Sequence, residues 1–191
     1  MMNKKMVILL GLLVGISGTA WFFQGSLKKS FSSDSKIEQF VFDRDAKQVE
    51  QLFRDDWLTM ITDEGSKTFS VDFLLRHKTS SQSSKLNDQN FKVWRENGNV
   101  VGFLAYYKKS PYVWQLHFLI VRKDYRGKGL ATKLIQYCLD DAASQGAVKV
   151  DLTTRATNLT AQAVYEKRFG FKRTYDKGKY YRYSWYKNNN N

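Results

Sequence analysis

The chain has 191 residues and a formal net charge of +13, a length that fits one ordinary domain with a short appendage. Hydrophobic residues form 42% of the chain and aromatic residues 15%, which is enough for a core and excludes a disordered protein. A single cysteine excludes a disulfide framework and a zinc cluster, and two histidines argue against a His-based metal site. The positive charge is compatible with two roles: attraction of a phosphate-bearing partner, or a lysine-rich surface that keeps the protein soluble. By itself the charge favours the second role.

The first 35 residues differ in composition from the rest. After two lysines, the run Met6–Phe23 carries no charge and no polar face, and as a helix it would extend about 27 Å, close to the thickness of a hydrocarbon core. A signal peptide cleaved near Ala20 is the alternative, but the aromatic residues 21–23 extend the run as an interfacial belt would. We predict an uncleaved signal anchor, a hydrophobic helix over 1–23, followed by a polar linker over 24–35, a domain over 36–187 and a disordered tail over 188–191.

The domain opens with a strand, two helices and a loop. Residues Lys36–Phe42 alternate as a strand does, and Asp43 can cap a helix whose apolar residues recur at helical spacing. A second, short helix is predicted over Ser70–His77. Residues Lys78–Asn90 are rich in Ser, Gln and Asn and have almost nothing to bury, which predicts a mobile loop.

A meander and two α/β units follow. The predicted strands are Phe91–Glu96, Val100–Lys108 and Val113–Arg122, then Ala147–Thr153, Phe171–Tyr175 and Lys179–Tyr186, with helices over Gly129–Ser144 and Asn158–Arg168. The Asn97-Gly98 dipeptide predicts the first hairpin turn, and Cys138 lies on the apolar stripe of the longer helix. This order predicts a mixed α/β fold with one central sheet flanked by helices.

The junction between the third meander strand and the long helix carries the clearest chemical signal. Its sequence from Val121 to Ala131 is VRKDYRGKGLA, a strand that runs into a Gly-rich turn and opens a helix. Glycines leave backbone N–H groups unobstructed, and a helix N-terminus adds free donors and partial positive charge, so the turn predicts an anion-binding cradle. Neither the spacing of a nucleoside-triphosphate loop nor a complete dinucleotide fingerprint is present.

Two motifs resemble the signatures of the GNAT acetyltransferase superfamily. The first, Arg126-x-x-Gly129-x-Ala131, is similar to Arg/Gln-x-x-Gly-x-Gly/Ala, and the second is Asn158-x-x-Ala161-x3-Tyr165-Glu166-Lys167 followed by Gly170-Phe171. The order of elements agrees over residues 36–186. The resemblance implies a GNAT-like acyl-CoA N-acyltransferase fold and an acetyl-CoA-dependent N-acetyltransferase that transfers an acetyl group to a primary amine by direct attack.

The resemblance also assigns parts of acetyl-CoA to positions in this chain. The backbone of Leu119, Ile120 and Val121 would bind the pantetheine arm and the acetyl carbonyl, and Asn158 would contact the pantetheine region. The pyrophosphate would lie on the turn formed by Arg126, Gly127, Lys128, Gly129, Leu130, Ala131 and Thr132. No metal is implied.

Two catalytic residues are implied in the same way. Tyr165 stands where the family's general acid protonates the leaving thiolate, and packing of its ring is the alternative. His117 occupies the mid-strand position where many relatives carry a glutamate base; an imidazole with a pKa near 6.5 can accept the proton, and a histidine packed on the sheet is the alternative. At Thr153 some protein N-terminal acetyltransferases of the family carry a glutamate, and threonine cannot serve as a base.

The partners follow from these predictions. We expect the protein to bind acetyl-CoA and an amine acceptor, either a small molecule or a protein amine. We also expect a single-pass membrane protein that is anchored through residues 6–23 and whose domain faces the cytoplasm. The alternative function is a non-catalytic module of the same fold that binds RNA or anionic lipid through its basic surface. Strand packing explains the basic and aromatic residues 166–187 better than nucleic-acid binding does. A homodimer is left open.

Overall fold

The protein is described by a computed structural model that covers residues 36–56, 71, 75, 89–176 and 178–187. The predicted anchor, linker and C-terminal tail lie outside these residues, as do most of the predicted helix at 70–77 and of the loop at 78–90. Val71 and Leu75 are helical, and Gln89 and Asn90 begin a strand instead of ending a loop. Within the described ranges no helix is long and apolar enough to cross a membrane.

The described residues form one mixed sheet and three α-helices whose bounds are complete, with a short 3₁₀ helix at Lys123–Tyr125. They are β1 (Lys36–Gln39), α1 (Phe42–Asp55), β2 (Gln89–Glu96), β3 (Asn99–Ser110), β4 (Val113–Val121), α2 (Leu130–Ser144), β5 (Lys149–Arg155), α3 (Leu159–Phe169), β6 (Lys172–Asp176) and β7 (Tyr180–Tyr186). The strand order is β1-β2-β3-β4-β5-β7-β6. All neighbours pair antiparallel except β4 and β5, which pair parallel. The predicted α/β fold with one central mixed sheet is confirmed.

The two faces of the sheet bury separate cores because successive side chains of a strand point to opposite faces. On one face, Phe53 of α1 packs edge-on against Phe103 and Phe118, with ring centroids 5.8 and 5.2 Å apart. On the other face, α2 and α3 pack against the sheet, and α2 contributes Leu134 and Cys138, both fully buried. The predicted core position of Cys138 is confirmed.

The turn after β2 and the contact of α2 with the sheet both depend on a particular backbone. Asn97 and Gly98 have φ values of 48° and 76°, as a tight hairpin turn with two left-handed residues requires, so the predicted turn is confirmed. At Gly102 an added Cβ would lie 3.1 Å from Leu134 Cδ1. A larger residue at this point would require Leu134 to move by a few tenths of an ångström, so the long helix lies close to the sheet here.

The start of α1 differs from the prediction. Asp43 does not cap the helix, because the N-cap residue is Val41 and it makes no side-chain cap. Instead Asp45, which is 0% exposed, accepts a hydrogen bond from the Val41 backbone N–H at 2.9 Å. The same carboxylate accepts from Arg95 Nη2 at 2.5 Å. A partner from a distant strand thus decides which aspartate fixes the helix, and local spacing does not carry that information.

Candidate active site

The parallel strands β4 and β5 pair over only part of their length. Val113, Trp114 and Gln115 pair with β5, and no later residue of β4 does, although both strands are fully described and β4 continues to Val121. On its other side β4 stays paired with β3 as far as Val121. The sheet therefore opens after Gln115, and β5 does not pair with the second half of β4.

A β-bulge lies at the point where the strands separate. Ala105 of β3 faces Phe118 and Tyr106 faces Leu116, so His117 has no partner of its own on β3. The extra residue reverses the alternation: Leu116 belongs to the core under α2, whereas Phe118 belongs to the core under α1. A bulge of this kind bends a strand and increases its twist, which accounts for the separation from β5.

The Gly-rich turn ends at the N-terminus of α2. Gly127 and Gly129 have φ values of 72° and 82°, a backbone that glycine adopts without steric cost, and Gly129 is the N-cap of the helix. The first hydrogen bond of the helix runs from the Lys133 N–H to the Gly129 carbonyl at 3.1 Å. The N–H groups of residues 130–132 consequently have no helical partner and can donate to an anion.

Cationic side chains stiffen this turn. The Arg126 guanidinium donates through Nε to the Val121 carbonyl at 3.0 Å and through Nη2 to Asp56 Oδ2 at 2.6 Å. Lys128 Nζ donates to the Asp124 carbonyl at 2.5 Å. A cleft of about 230 Å³ lies between this turn and the end of α1, and its lining includes Asp56, Val121 and Arg126. These hydrogen bonds fix the side chains of Arg126 and Lys128 at the turn, and they place positive charge beside its free N–H groups.

The start of α3 is fixed by two amide side chains. Asn158 Oδ1 accepts from the Ala161 N–H at 3.2 Å, so Asn158 is the N-cap of the helix and only its NH₂ group is left for other contacts. Gln162 is buried and donates to the carbonyl of Ala156 at 2.8 Å and to that of Arg155 at 3.2 Å. Gln162 thereby ties α3 to the end of β5, a role that the sequence did not indicate.

Tyr165 lies on the buried face of α3 and is 7% exposed. Its ring lies 5.8 Å from that of Phe171 and 6.0 Å from that of Tyr183. Burial raises the pKa of Tyr165 to about 12, so the phenol is protonated at neutral pH. Its hydroxyl makes no hydrogen bond to any described residue, in contrast to Tyr183, which donates to Glu166 Oε1 at 2.7 Å.

His117 is a neutral imidazole at physiological pH. Burial lowers its pKa to about 4, since desolvation disfavours the charged form. Its ring lies 4.0 Å from the Phe118 ring and 5.8 Å from the Tyr107 ring, measured between centroids. Its Nδ1 lies 3.2 Å from Oε1 of Gln89. Gln89 was predicted to lie in a loop, but it begins an alternation with Phe91 and Val93 that marks it as an inward-facing strand residue.

In the part of the chain that the structure describes, acidic, thiol and imidazole groups do not converge in a manner suited to a metal. Within the described ranges there is no group of three or more His, Cys, Asp or Glu side chains that could hold an ion. The single cysteine is enclosed by the core, and burial raises the pKa of its thiol well above the usual value. A thiol in that state is a poor nucleophile.

Comparison with known proteins identifies the class to which this fold and site belong. A model described as the acetyltransferase (GNAT) family matches residues 46–171. The chain belongs to the GNAT acetyltransferase family, as the two motifs predicted. N-alpha-acetyltransferase 30 of Schizosaccharomyces pombe is 45% identical over 53 residues, which is 28% of this chain and 35% of that protein. This chain therefore matches about one third of that relative's length.

Solved structures share the fold at low sequence identity. PaiA N-acetyltransferase from Thermoplasma acidophilum, in complex with coenzyme A, is 18% identical, with a TM-score of 0.66 over 80% of this chain and 99% of that one. YncA from Salmonella typhimurium, solved with acetyl-CoA, is 19% identical, with a TM-score of 0.62 over 81% of this chain and 94% of that one. These likenesses confirm the GNAT-like fold.

Proposed function

We propose that this protein transfers the acetyl group of acetyl-CoA to a primary amine by direct attack. The observation that carries the proposal is the opening of the sheet after Gln115, next to a helix N-terminus with free N–H groups. An extended thioester arm needs an unpaired strand edge to bind, and a diphosphate needs a concentrated set of donors. Both needs are met by consecutive segments of one chain, β4 and the turn that follows it.

The diphosphate fits the turn from Arg126 to Thr132. Its N–H groups lie beside Gly127 and Gly129, where no Cβ obstructs an approaching anion. The edge of β4 at Leu119–Val121, where the Val121 carbonyl already accepts from Arg126 Nε, is the matching place for the amide groups of the pantetheine arm. The NH₂ group of Asn158 remains available for the same arm, because only its Oδ1 is used as the helix cap.

Two side chains carry out the proton transfers of the proposed reaction. The amine nitrogen attacks the acetyl carbon, the carbon–sulfur bond breaks, His117 takes a proton from the nitrogen, and Tyr165 gives one to the departing thiolate. A backbone N–H on β4 aimed at the carbonyl oxygen would stabilise the negative charge that develops there. The raised pKa of Tyr165 keeps the phenol a donor at neutral pH, and the absence of a described hydrogen-bond partner leaves that proton available.

The lowered pKa of His117 favours an α-amine as the acceptor. An imidazole with a pKa of about 4 cannot deprotonate a free alkylammonium, so the amine has to arrive neutral. At pH 7, deprotonating the free amine costs about 1 kcal/mol for an α-amino group and about 4.6 kcal/mol for a lysine side chain, since each pKa unit is about 1.36 kcal/mol. The local similarity to an N-alpha-acetyltransferase supports the same acceptor class. The proton passes to His117 once the nitrogen is bonded to carbon.

A second function, binding of RNA through the basic surface, is not favoured. Arg173 already lies 4.0 Å above the Tyr181 ring, and Arg182 lies 5.8 Å from the Tyr175 ring. These aromatic rings of the β6–β7 hairpin therefore contact the protein's own guanidinium groups, as strand packing predicts.

The proposed enzyme is tested by calorimetry and a thiol-release assay on the full-length chain in mild detergent. We expect micromolar affinity for CoA, about −8 kcal/mol, and release of CoA thiol with a peptide that bears a free N-terminus. Gly129→Asp should abolish CoA binding by placing a carboxylate at the diphosphate. Gly178→Asp is the matched control, because Gly178 also has a positive φ, 65°, but lies in the β6–β7 hairpin. CoA binding without turnover on any amine would indicate the non-catalytic module instead.

We also propose that the protein is tethered to a membrane through residues 6–23, with its domain on the cytoplasmic side. The support is the uncharged run Met6–Phe23 with its aromatic end. Full-length protein should stay with the membrane fraction after alkaline carbonate washing, and intact mass should show a retained N-terminus. A mature chain that starts near Trp21 would identify a cleaved signal peptide and remove the tether.

A further inference from the structure

Gln89 and His117 form an isolated polar pair beneath the opening of the sheet. Gln89 is 6% exposed and lies at the first position of β2, and its Oε1 is 3.2 Å from His117 Nδ1. The amide Nε2 of Gln89 is buried and has no hydrogen-bond partner among the residues that the structure describes. The contact with His117 is therefore the hydrogen bond that this buried amide makes.

In this structure Oε1 of Gln89, and not its NH₂ group, faces Nδ1 of His117. An amide oxygen can only accept a hydrogen bond, so this orientation of the amide corresponds to the tautomer with the proton on Nδ1. A neutral imidazole carries one N–H, and Nε2 is then left with its lone pair. A neutral histidine that acts as a base at Nε2 needs this tautomer.

The surroundings restrict the ring as well. His117 occupies the bulge of β4, and its ring is held between those of Phe118, at 4.0 Å, and Tyr107, at 5.8 Å. Apart from Gln89, no described side chain donates to or accepts from the imidazole. A buried amide whose NH₂ group is unmatched costs stability, and an apolar side chain of the same shape would avoid that cost.

We propose that Gln89 is a positioning residue that holds His117 in the Nδ1–H tautomer, with Nε2 free to accept the proton of the acceptor amine. The inference deepens the proposed function, because it rests on His117 as the base of that reaction. Gln89 itself touches neither substrate nor acetyl group in this role. It acts through the imidazole, as the group that orients a catalytic histidine does.

Nitrogen-15 NMR of the histidine ring tests the tautomer directly on the full-length chain in detergent micelles. The chain has two histidines, so a His77→Gln background leaves His117 as the one signal. We expect the Nδ1–H form at pH 7 in this background and a shift toward Nε2–H in Gln89→Met, which keeps the shape and removes the acceptor. Gln89→Glu, which retains an acceptor oxygen, should restore Nδ1–H. Gln115→Met, two residues from His117 on the same strand, is the matched control and should leave the signal unchanged.

Kinetics of the same variants separates positioning from packing. Gln89→Met should lower kcat about 10-fold or more, a part of the ~100-fold that a general base contributes, with the KM for acetyl-CoA unchanged. Gln89→Glu should recover part of the loss. A kcat for Gln89→Met equal to that of the parent would overturn the positioning role, and so would a parent protein in the Nε2–H form.

The outcomes also distinguish this inference from the proposed function. If Gln89→Met shifts the tautomer while His117→Ala keeps full turnover, the assignment of His117 as the base fails, although Gln89 does set the tautomer. If no amine is acetylated at all, the NMR experiment still decides the tautomer. A Gln89→Met protein that does not fold would leave the decision to Gln89→Glu and to the parent signal.

Discussion

Arg126 and Asp56 form a 2.6 Å ion pair that joins the Gly-rich turn to the residue after α1. The guanidinium is half-exposed, and the pair lies at the cleft beside the turn. The cation that would face the diphosphate is thus already in contact with a carboxylate before any ligand arrives. Ligand binding at this turn has to compete with that carboxylate.

We therefore expect opposite effects from changing the two partners. Arg126→Ala should weaken CoA binding about 10-fold at low salt, whereas Asp56→Asn should leave it unchanged or tighten it. The stability of the fold should change little in both, because exposed ion pairs contribute about 0.2–1 kcal/mol. Calorimetric titration with CoA at low salt and at high salt measures this, and the effect of Arg126→Ala should shrink as salt screens the charge. Equal loss of binding in both variants would show that the pair acts as a structural unit.

Tyr165→Phe should lower turnover by ~100-fold and leave acetyl-CoA affinity nearly unchanged. The phenol would act only as the thiolate departs, and an interaction made only in the transition state affects turnover and not binding. The melting temperature should stay the same, because the ring remains between Phe171 and Tyr183 and no described hydrogen bond is lost. Steady-state kinetics with a good acceptor measures it. Parental turnover would assign Tyr165 to packing.

Much of the fold could be predicted because its signals are local. The Asn97-Gly98 turn, the apolar stripe of α2 around Cys138 and the Gly-rich turn at Gly129 each depend on residues close in sequence. Their structure follows from backbone preference and periodicity. These elements were placed correctly, with boundaries that differ by one to three residues.

The features that the sequence did not reveal depend on partners far along the chain. The bulge at His117 is invisible in the alternation of Val113–Val121, because it is defined by the register against β3. The opening of the sheet follows from that bulge. The N-cap residue of α1 is Val41, whose N–H is bonded by Asp45 and not by Asp43, and the same Asp45 carboxylate accepts from Arg95 of β2. Gln89 lies at the end of a polar stretch, so the sequence did not indicate that it belongs to a strand. Its register is visible only from the burial of Phe91 and Val93 in the same strand.

The ion pair network around Asp45 should be a major source of stability at the start of α1. Burial by itself would raise the pKa of Asp45, but hydrogen bonds from Arg44, the Val41 N–H and Arg95 hold it below its usual value. Asp45→Ala should lower the free energy of unfolding by about 3–5 kcal/mol, because it leaves Arg95 without its buried partner. Asp45→Leu combined with Arg95→Met should recover a large part of that loss. Urea unfolding measures both, and a double variant no better than Asp45→Ala would contradict the account.

The lowered pKa of His117 makes the stability of the protein depend on pH in a defined window. The pKa is about 4 in the folded chain and about 6.5 when unfolded, so between these values the unfolded chain binds more protons. This contribution to stability is complete above pH 6.5 and is lost as the pH falls toward 4. It amounts to about 3.4 kcal/mol at most, since each pKa unit is about 1.36 kcal/mol.

His117→Phe should remove that part of the pH dependence, because the phenyl ring fills the same space and does not titrate. His77→Gln is the control, and it should leave the difference between pH 7 and pH 4.5 as it is in the parent. Free energies of unfolding in urea at the two pH values measure the effect. If the parent and His117→Phe lose the same stability on acidification, then His117 is solvated enough to be charged in the folded protein. In that case the low pKa assigned to it, and with it the preference for an α-amine, would be wrong.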